Sequence, residues 1–378
     1  MAGDLGICFH YTTHSRTGKG TTPIVPKRRL GYNAPDFRGI LAVTKTDLRQ
    51  IHTGEGAPVQ PSDLEWALPK LEKLLTNLRS VIRGKIEATQ LIVVGLLCRN
   101  HVLIEDIPGV GKTMLAKALA RSLGGSFIRI QFTSDLLPSD ILGVSIYTQE
   151  TGEFVFKPGP VFTNVLLADE INRTNPRTQS ALLEAMNEGQ VSVDGVTHDV
   201  DPPFMVIATQ NPHDFYGTFP LPESQLDRFM LRIKLGYPDE STERGIIAAG
   251  GGDEALSHVR PVLQSDEVER LADITERIRV DDLLLDYLMD IVRESREDRS
   301  LSLGISPRGG IHMYRAVQAM ALLKGRTYAI PDDLQSIAVS VLSHRVIPSG
   351  GQATVPGERR RLAESILREL LDRIPVPV

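Results

Sequence analysis

The sequence predicts an α/β domain, in which a parallel sheet lies between two layers of helices, followed by a helical second domain. Five short apolar runs, each bounded by turn or helix signals, have the length and composition of buried strands and alternate with helical segments. After Tyr237–Pro238 the strand signals stop and helical spacing continues to the end. Strands that alternate with helices are typical of a parallel sheet covered on both faces, so we expect a three-layer core.

The elements follow in order along the chain. Residues 1–60 are rich in Gly, Thr, Pro and basic residues without sustained periodicity, which predicts a flexible tail whose Lys27–Arg29 is either a contact patch or a solvated surface. Helical spacing starts at Leu68, and two helices lead into the core. The predicted strands are Val102–Glu105, Phe127–Gln131, Val165–Asp169, Phe204–Thr209 and Phe229–Ile233, with helices Lys112–Leu123 and Pro176–Asn187 between them.

Two predicted β-hairpins interrupt the alternation of strands and helices, and further helices follow the last predicted strand. Thr151–Gly152 and Asp194–Gly195 stand between short apolar runs and predict β-hairpins over residues 145–156 and 190–200. The predicted helices of the second domain are Asp266–Ile278, Asp282–Arg296, Gly309–Leu323, Pro331–Leu342 and Glu358–Ile374. We therefore expect a tail over 1–60, an α/β domain over 61–236 and a helical lid over 237–378.

The composition limits the functional classes. The 378 residues are 41% hydrophobic and 24% charged, which suits a globular protein, and the longest apolar run, Leu91–Cys98, is too short for a membrane helix. No secretory signal is visible and two cysteines form no disulfide framework, so we expect a cytoplasmic protein. Residues 1–60 hold eight Lys or Arg against four Asp or Glu, and the net charge of −5 therefore leaves −9 on the rest, which disfavours nucleic-acid binding.

A glycine-rich turn after the first strand carries the main chemical signal. Gly109 and Gly111 allow backbone N–H groups to face an anion, and the helix that starts at Lys112 directs its positive dipole end at the same point. Lys112 would reach the β- and γ-phosphates, and Thr113 would bind Mg²⁺. Asp106 stands where the phosphate-loop pattern has glycine and would repel a triphosphate unless it points away; a fortuitous glycine-rich turn is the alternative.

Polar residues also follow the later strands. Asp169 can hold Mg²⁺ through its waters and Glu170 can polarise the attacking water, or the two acids can cap a helix. Asn211 could bind the γ-phosphate and that water, or form a turn before Pro212.

Two arginines complete the candidates. Arg228 could reach the nucleotide of a neighbouring subunit, or pair with Glu223 or Asp227. Arg308, at the start of a lid helix, could bind the phosphates or remain a surface residue.

These motifs together resemble one family. The ordered set comprises residues 105–113 (EDIPGVGKT), 167–173 (LADEINR), 179–186 (QSALLEAM), 208–212 (ATQNP) and 217–229 (GTFPLPESQLDRF), with Ser306–Arg308 and residues 330–334 (IPDDL) in the lid. The set resembles the MoxR family of AAA+ ATPases over about residues 68–375.

The resemblance implies a P-loop AAA+ core with strand order 5-1-4-3-2, β-hairpin inserts and a helical lid, in rings that are usually hexamers with ATP between subunits. It implies Walker A roles for Lys112 and Thr113, Walker B roles for Asp169 and Glu170, and sensor or arginine-finger roles for Asn211, Arg308 and Arg228. The implied ATP-binding residues are Pro108, Gly109, Val110, Gly111, Lys112, Thr113 and Met114, with Thr113 and Asp169 toward Mg²⁺, the latter through water. Family members are thought to act as chaperones that remodel or insert metals into proteins, often ones with von Willebrand factor A domains.

Three functions remain open at this point. The first is ATP hydrolysis that moves the lid and hairpins against a client protein, and the second is a nucleotide-gated assembly scaffold with little turnover. The third is a DNA-acting motor, which the acids of the hairpins disfavour because they would repel phosphates. These acids are Glu150 and Glu153 in the first hairpin and Asp194, Asp199 and Asp201 in or beside the second.

Overall fold

The computed structural model describes residues 57–150, 152–211, 217–248, 253–350 and 356–377. Apart from its last four residues, the predicted tail lies outside these ranges, and so does the basic segment Lys27–Arg29. Among the described residues, no helix has both the length and the apolar character that crossing a bilayer requires.

The predicted parallel sheet is confirmed. Its strands, numbered in chain order, are β1 (Val102–Glu105), β2 (Phe127–Gln131), β3 (Val165–Asp169), β4 (Met205–Gln210) and β5 (Leu231–Ile233). All pairings are parallel and the order is β5-β1-β4-β3-β2, as the family resemblance implies. The last two strands begin one and two residues later than predicted, because Phe229 still belongs to the turn that closes on Leu226.

Helices cover both faces of the sheet. The helices up to the last strand are α1 (Pro61–Val81), α2 (Ile86–Leu97), α3 (Lys112–Ser122), α4 (Pro138–Leu142), α5 (Pro176–Glu188) and α6 (Glu223–Leu226). Successive strand side chains alternate between the faces: Val165 and Leu167 belong to the core shared with α1–α3, whereas Leu166 and Ala168 pack with α4 and α5. This alternation gives the three layers that the apolar runs predicted.

Both predicted hairpins form. The first pairs Gly143–Thr148 with Glu153–Pro158, and the second pairs Gln190–Val193 with Val196–Asp199. The ring of Phe156 stacks on that of His198 with 3.8 Å between ring centroids, so the two hairpins touch each other.

The C-terminal part is helical, as predicted, and its described residues include two helices, Glu240–Ala248 and Asp253–His258, and one small sheet that were not predicted. Its helices are α7 (Glu240–Ala248), α8 (Asp253–His258), α9 (Ser265–Glu276), α10 (Asp282–Glu297), α11 (Pro307–Leu323), α12 (Pro331–Leu342) and α13 (Pro356–Arg373). Leu301–Leu303 and Ile347–Pro348 form a small antiparallel sheet, too short to have produced a strand pattern in the sequence. The apolar cluster that contains α1–α3 continues into these helices, and the boundary at residue 236 stays a prediction.

Candidate nucleotide site

The phosphate loop, Asp169, Glu170 and Asn211 lie where the carboxyl ends of neighbouring strands meet. The register pairs Glu105 with Gln210 and Gln131 with Asp169, so the loops after β1, β3 and β4 leave the sheet side by side. Ligands in α/β proteins bind at this edge, because loops from several strands converge there.

The phosphate loop has the geometry that its glycines predict. Gly109 and Gly111 have φ angles of +84° and +97°, which L side chains rarely adopt, and α3 starts at Lys112. The ammonium of Lys112 donates to the carbonyl oxygen of Asp106 at 2.9 Å. The turn therefore ends at a helix N-terminus, where backbone N–H groups and the helix dipole favour an anion.

A pocket of about 360 Å³ opens beside this loop. Its lining brings together most of the predicted site residues and two that were not predicted: Pro108, Gly109, Gly111, Lys112, Thr113, Met114, Arg129, Gln131, Asp169 and Glu170. Its volume is within the range of small-molecule sites. Val110 is absent from this lining and packs against the apolar core.

Asp169 is buried, and both of its carboxylate oxygens accept hydrogen bonds. One carboxylate oxygen accepts from the hydroxyl of Thr209 at 2.6 Å, and the other accepts from Nη2 and Nε of Arg129 at 2.6 and 3.1 Å. Arg129 comes from β2 and is about half exposed. A cation near Asp169 therefore shares the charge of this carboxylate with Arg129.

Glu170 has different carboxylate partners from Asp169. Its carboxylate accepts from Gln131 Nε2 at 2.7 Å and pairs with Arg173 at 2.8 Å, while its backbone N–H donates to Thr209 at 2.8 Å. Its φ of +58° turns the chain sharply after β3, so the carboxylates of Asp169 and Glu170 have different partners. Glu170 stands at the N-cap position of the short 3-10 turn Ile171–Arg173, but its side chain makes no cap bond there; α5 is capped by Asn175, which accepts from the N–H groups of residues 177 and 178.

The remaining candidates do not line the pocket. Asn211 follows β4 at the same edge and is buried. Arg228 donates to the carbonyl oxygen of Leu183 at 2.9 Å, and Arg308 is exposed in the first turn of α11. Within one chain, the described pocket contains the loop and both acids but neither arginine.

The ion pairs suggested for Arg228 do not form. Glu223 pairs with Arg359 at 3.0 Å, and Asp227 pairs with the buried Arg345 at 2.8 Å. Burial lowers the pKa of Arg345 to about 10, while the Asp227 carboxylate opposes this shift. Arg228 is therefore held at its carbonyl contact rather than by its flanking acids.

The carboxylate of Asp106 points away from the phosphate loop, which is the orientation that avoids repulsion of a triphosphate. Its carboxylate accepts from the backbone N–H groups of Ile107, Leu235 and Gly236 at 2.9, 2.7 and 2.6 Å. These bonds satisfy a carboxylate that is 8% exposed, so the negative charge is directed toward the end of β5.

Comparisons with known proteins agree with this architecture. Residues 101–231 match the ATPase family associated with various cellular activities (AAA), and residues 293–370 match the AAA lid domain. The chain is 46% identical over 310 residues to YeaC of Bacillus subtilis (strain 168), covering 82% of this chain and 96% of that protein. It is 39% identical over 302 residues to the chaperone MoxR1 of Mycobacterium tuberculosis (strain ATCC 25618 / H37Rv), covering 78% of this chain and 80% of that one.

The chain belongs to the MoxR family of AAA+ ATPases. A crystal structure of a proposed ATPase from Cytophaga hutchinsonii ATCC 33406 is also similar, with a TM-score of 0.76 and 32% identity over 88% of this chain and 100% of that one. The order of the sheet and the helical lid of this MoxR-family chain are thus those of a known ATPase fold.

Sequence reasoning missed three residues of this MoxR-family site. Arg129 and Gln131 are the polar positions near the end of β2, and Thr209 is a buried hydroxyl that touches both acids. A signal for the first two existed, since polar side chains two residues apart at the end of a buried parallel strand share one face. Thr209 gave no such signal, because Thr is also an ordinary strand residue.

Proposed function

We propose that this MoxR-family chain is a Mg²⁺-dependent ATP hydrolase whose cycle remodels, assembles or helps to insert metal into a partner protein. The observation that carries the proposal is the single pocket in which Lys112, Thr113, Asp169 and Glu170 meet. The helix N-terminus and Lys112 bind the phosphates, and Glu170 takes a proton from the attacking water. Asn211 orients that water.

The donor set of the pocket fits Mg²⁺. This ion prefers oxygen ligands and usually takes few from the protein, the remainder coming from phosphates and water. Asp169, through water, and the hydroxyl of Thr113 are such ligands, and Mg²⁺ bound there supplies charge neutralisation for the phosphates.

We further propose that the working form is a homo-oligomeric ring, of the hexameric type implied by the MoxR resemblance, in which Arg228 of one copy acts in the pocket of the next. The absence of both arginines from the described pocket lining supports this idea. Arg308 is proposed to bind phosphates when the lid moves relative to the core.

A protein client is supported by the first hairpin. Its exposed apolar side chains include Phe154, Tyr147 and Ile146, which are 73%, 54% and 47% accessible. Exposed apolar groups of this kind suit contact with another protein better than contact with a phosphate backbone. A client with a von Willebrand factor A domain is the family-based expectation, and MoxR1 is a relative named a chaperone.

The test is phosphate release and nucleotide binding by site variants. Lys112→Ala should abolish nucleotide binding, whereas Glu170→Gln should bind ATP and lose roughly 10²- to 10³-fold in turnover. Lys117→Ala and Glu184→Gln are matched controls on α3 and α5 and should behave as the parent. Parent-like hydrolysis by both site variants would overturn the assignment, and negligible turnover by the parent would favour a nucleotide-gated scaffold.

The client proposal has its own test. Glu170→Gln should retain ATP and hold the client, and Phe154→Ser added to it should weaken that capture without changing ATP binding. Turnover stimulated by DNA at physiological salt would instead favour a DNA-acting motor.

A further inference from the structure

We propose that Asp106 is a positioning residue that couples the phosphate loop to the junction between the core and the lid. The inference rests on the proposed function, because it assigns Lys112 to the nucleotide phosphates. Asp106 occupies a position where the general phosphate-loop pattern has glycine, so its side chain is not needed to form such a loop.

The side chain of Asp106 joins segments that are distant in sequence. One carboxylate oxygen accepts from the N–H groups of both Leu235 and Gly236, which lie directly after β5, about 130 residues away. Tyr237, the next residue, accepts at its carbonyl oxygen from Lys85 at 2.6 Å. The carboxylate is therefore a fixed point at the place where the chain leaves the sheet for the lid.

The backbone of the same residue contacts the site. Its N–H donates to the carbonyl oxygen of Gln210, the residue before Asn211, at 3.1 Å, and its carbonyl oxygen accepts from Lys112 Nζ at 2.9 Å. A nucleotide that draws the Lys112 ammonium to its phosphates weakens this last contact. The peptide that loses it carries the carboxylate that holds Leu235 and Gly236, so occupancy of the loop is transmitted to the lid junction.

The preceding residue reaches the lid as well. Glu105 pairs with Arg360 of α13 at 2.9 Å, and Arg360 in turn pairs with Glu364 at 3.1 Å. Both pairs are largely buried, so solvent screens them weakly. Two successive carboxylates at the end of β1 thus contact the C-terminal helix of the lid and the start of the lid.

The test is amide hydrogen exchange of the full chain with and without Mg·ADP. In Asp106→Gly, the amides of Leu235 and Gly236 should exchange at least about tenfold faster without nucleotide, since each loses a bond to a charged acceptor. Their response to Mg·ADP, present in the parent, should disappear. The dissociation constant of ADP should change less than about threefold, while kcat falls about tenfold, because a positioning contact and not a phosphate ligand is removed.

Two further variants separate coupling from general damage. Asp106→Asn keeps one accepting oxygen and should restore part of both the protection and the nucleotide response. Asp239→Asn removes a carboxylate that accepts from Ser241 and Thr242, in the first turn of α7, and should leave the exchange of Leu235 and Gly236 unchanged.

The outcomes also separate this inference from the proposed function. If Mg·ADP fails to bind the parent, both fall. If Mg·ADP binds the parent and protects the amides of residues 109–114, but Leu235 and Gly236 do not respond or remain equally protected in Asp106→Gly, the coupling alone is overturned.

Discussion

The nucleotide pocket and the arginine cluster, which comprises Arg228, Arg308 and Arg345 around Asp227, are organised differently. In the pocket, each acid accepts a hydrogen bond from another lining residue: Asp169 from Arg129 and Glu170 from Gln131. In the arginine cluster, Arg228 contacts a backbone carbonyl group and Arg308 is exposed. The described pocket of one chain thus brings the loop and both acids together, whereas Arg228 and Arg308 lie elsewhere.

The arginine segments are nevertheless fixed to one another. Asp227, next to Arg228, accepts from the hydroxyl of Ser306 at 3.1 Å, and Ser306 caps the helix that carries Arg308. Arg345 binds the same aspartate from the lid side. Asp227 therefore joins the segment that carries Arg228 to the lid helix that carries Arg308.

The largest expected effect separates the two regions directly. Arg228→Ala should lower turnover by roughly 10³-fold, the scale of arginine fingers, and leave ATP binding by the chain nearly unchanged. Phosphate release and equilibrium nucleotide binding measure the two quantities. Arg293→Ala, which removes an exposed arginine paired within α10, is the control. Weakened ATP binding by the isolated chain would instead assign Arg228 to its own pocket.

The next effect concerns how much the arginine cluster contributes to the stability of the fold. Asp227→Asn leaves the guanidinium of Arg345 buried beside a neutral partner, so the free energy of unfolding should fall by about 3 kcal/mol. Glu223→Gln removes a half-exposed ion pair and should cost less than about 0.5 kcal/mol. Urea unfolding of both variants measures the difference, and equal losses would argue against Asp227 as the organising group.

A smaller effect is expected inside the pocket. Arg129→Ala frees Asp169 from a partly exposed ion pair, so half-maximal ATP binding should require about threefold less Mg²⁺. Magnesium titrations at fixed ATP measure this change. The Mg²⁺ requirement of Arg129→Lys should be intermediate, because lysine keeps the positive charge but lacks the paired N–H donors of the guanidinium. A higher Mg²⁺ requirement would assign Arg129 to the phosphates.

The last expected effect depends on pH at the arginine cluster. Burial lowers the pKa of His312 to about 3, with Arg345 adding to the shift, and burial also lowers the pKa of His344 well below its usual value. The unfolded chain takes up these protons below pH 6.5, whereas the folded chain does not until far lower pH. The free energy of unfolding should therefore fall as pH decreases from 6.5, by about 1 kcal/mol per pH unit for each histidine.

Urea unfolding at pH 7 and pH 5.5 measures this dependence, and His312→Gln should remove part of it. The same pH dependence in variant and parent would show that the acid sensitivity has another origin.

The sequence predicted the sheet, both hairpins and five of the seven described helices after residue 237, because alternating apolar runs and helix signals are local patterns. It also predicted which residues follow β1, β3 and β4. It could not predict that the Asp106 carboxylate binds Leu235 and Gly236, because 129 residues separate the partners and no periodicity marks the contact. The same reason hid the role of Thr209, whose neighbours come from another strand.

The most direct test of this account mixes two variants, Lys112→Ala and Arg228→Ala, each expected to be nearly inactive alone. If Arg228 acts in the pocket of a neighbouring copy, an equal mixture in a closed ring should regain about a quarter of the parent turnover, since about one interface in four combines an intact loop with an intact arginine. Phosphate release by the mixture that stays at the level of the separate variants would contradict a site shared between chains.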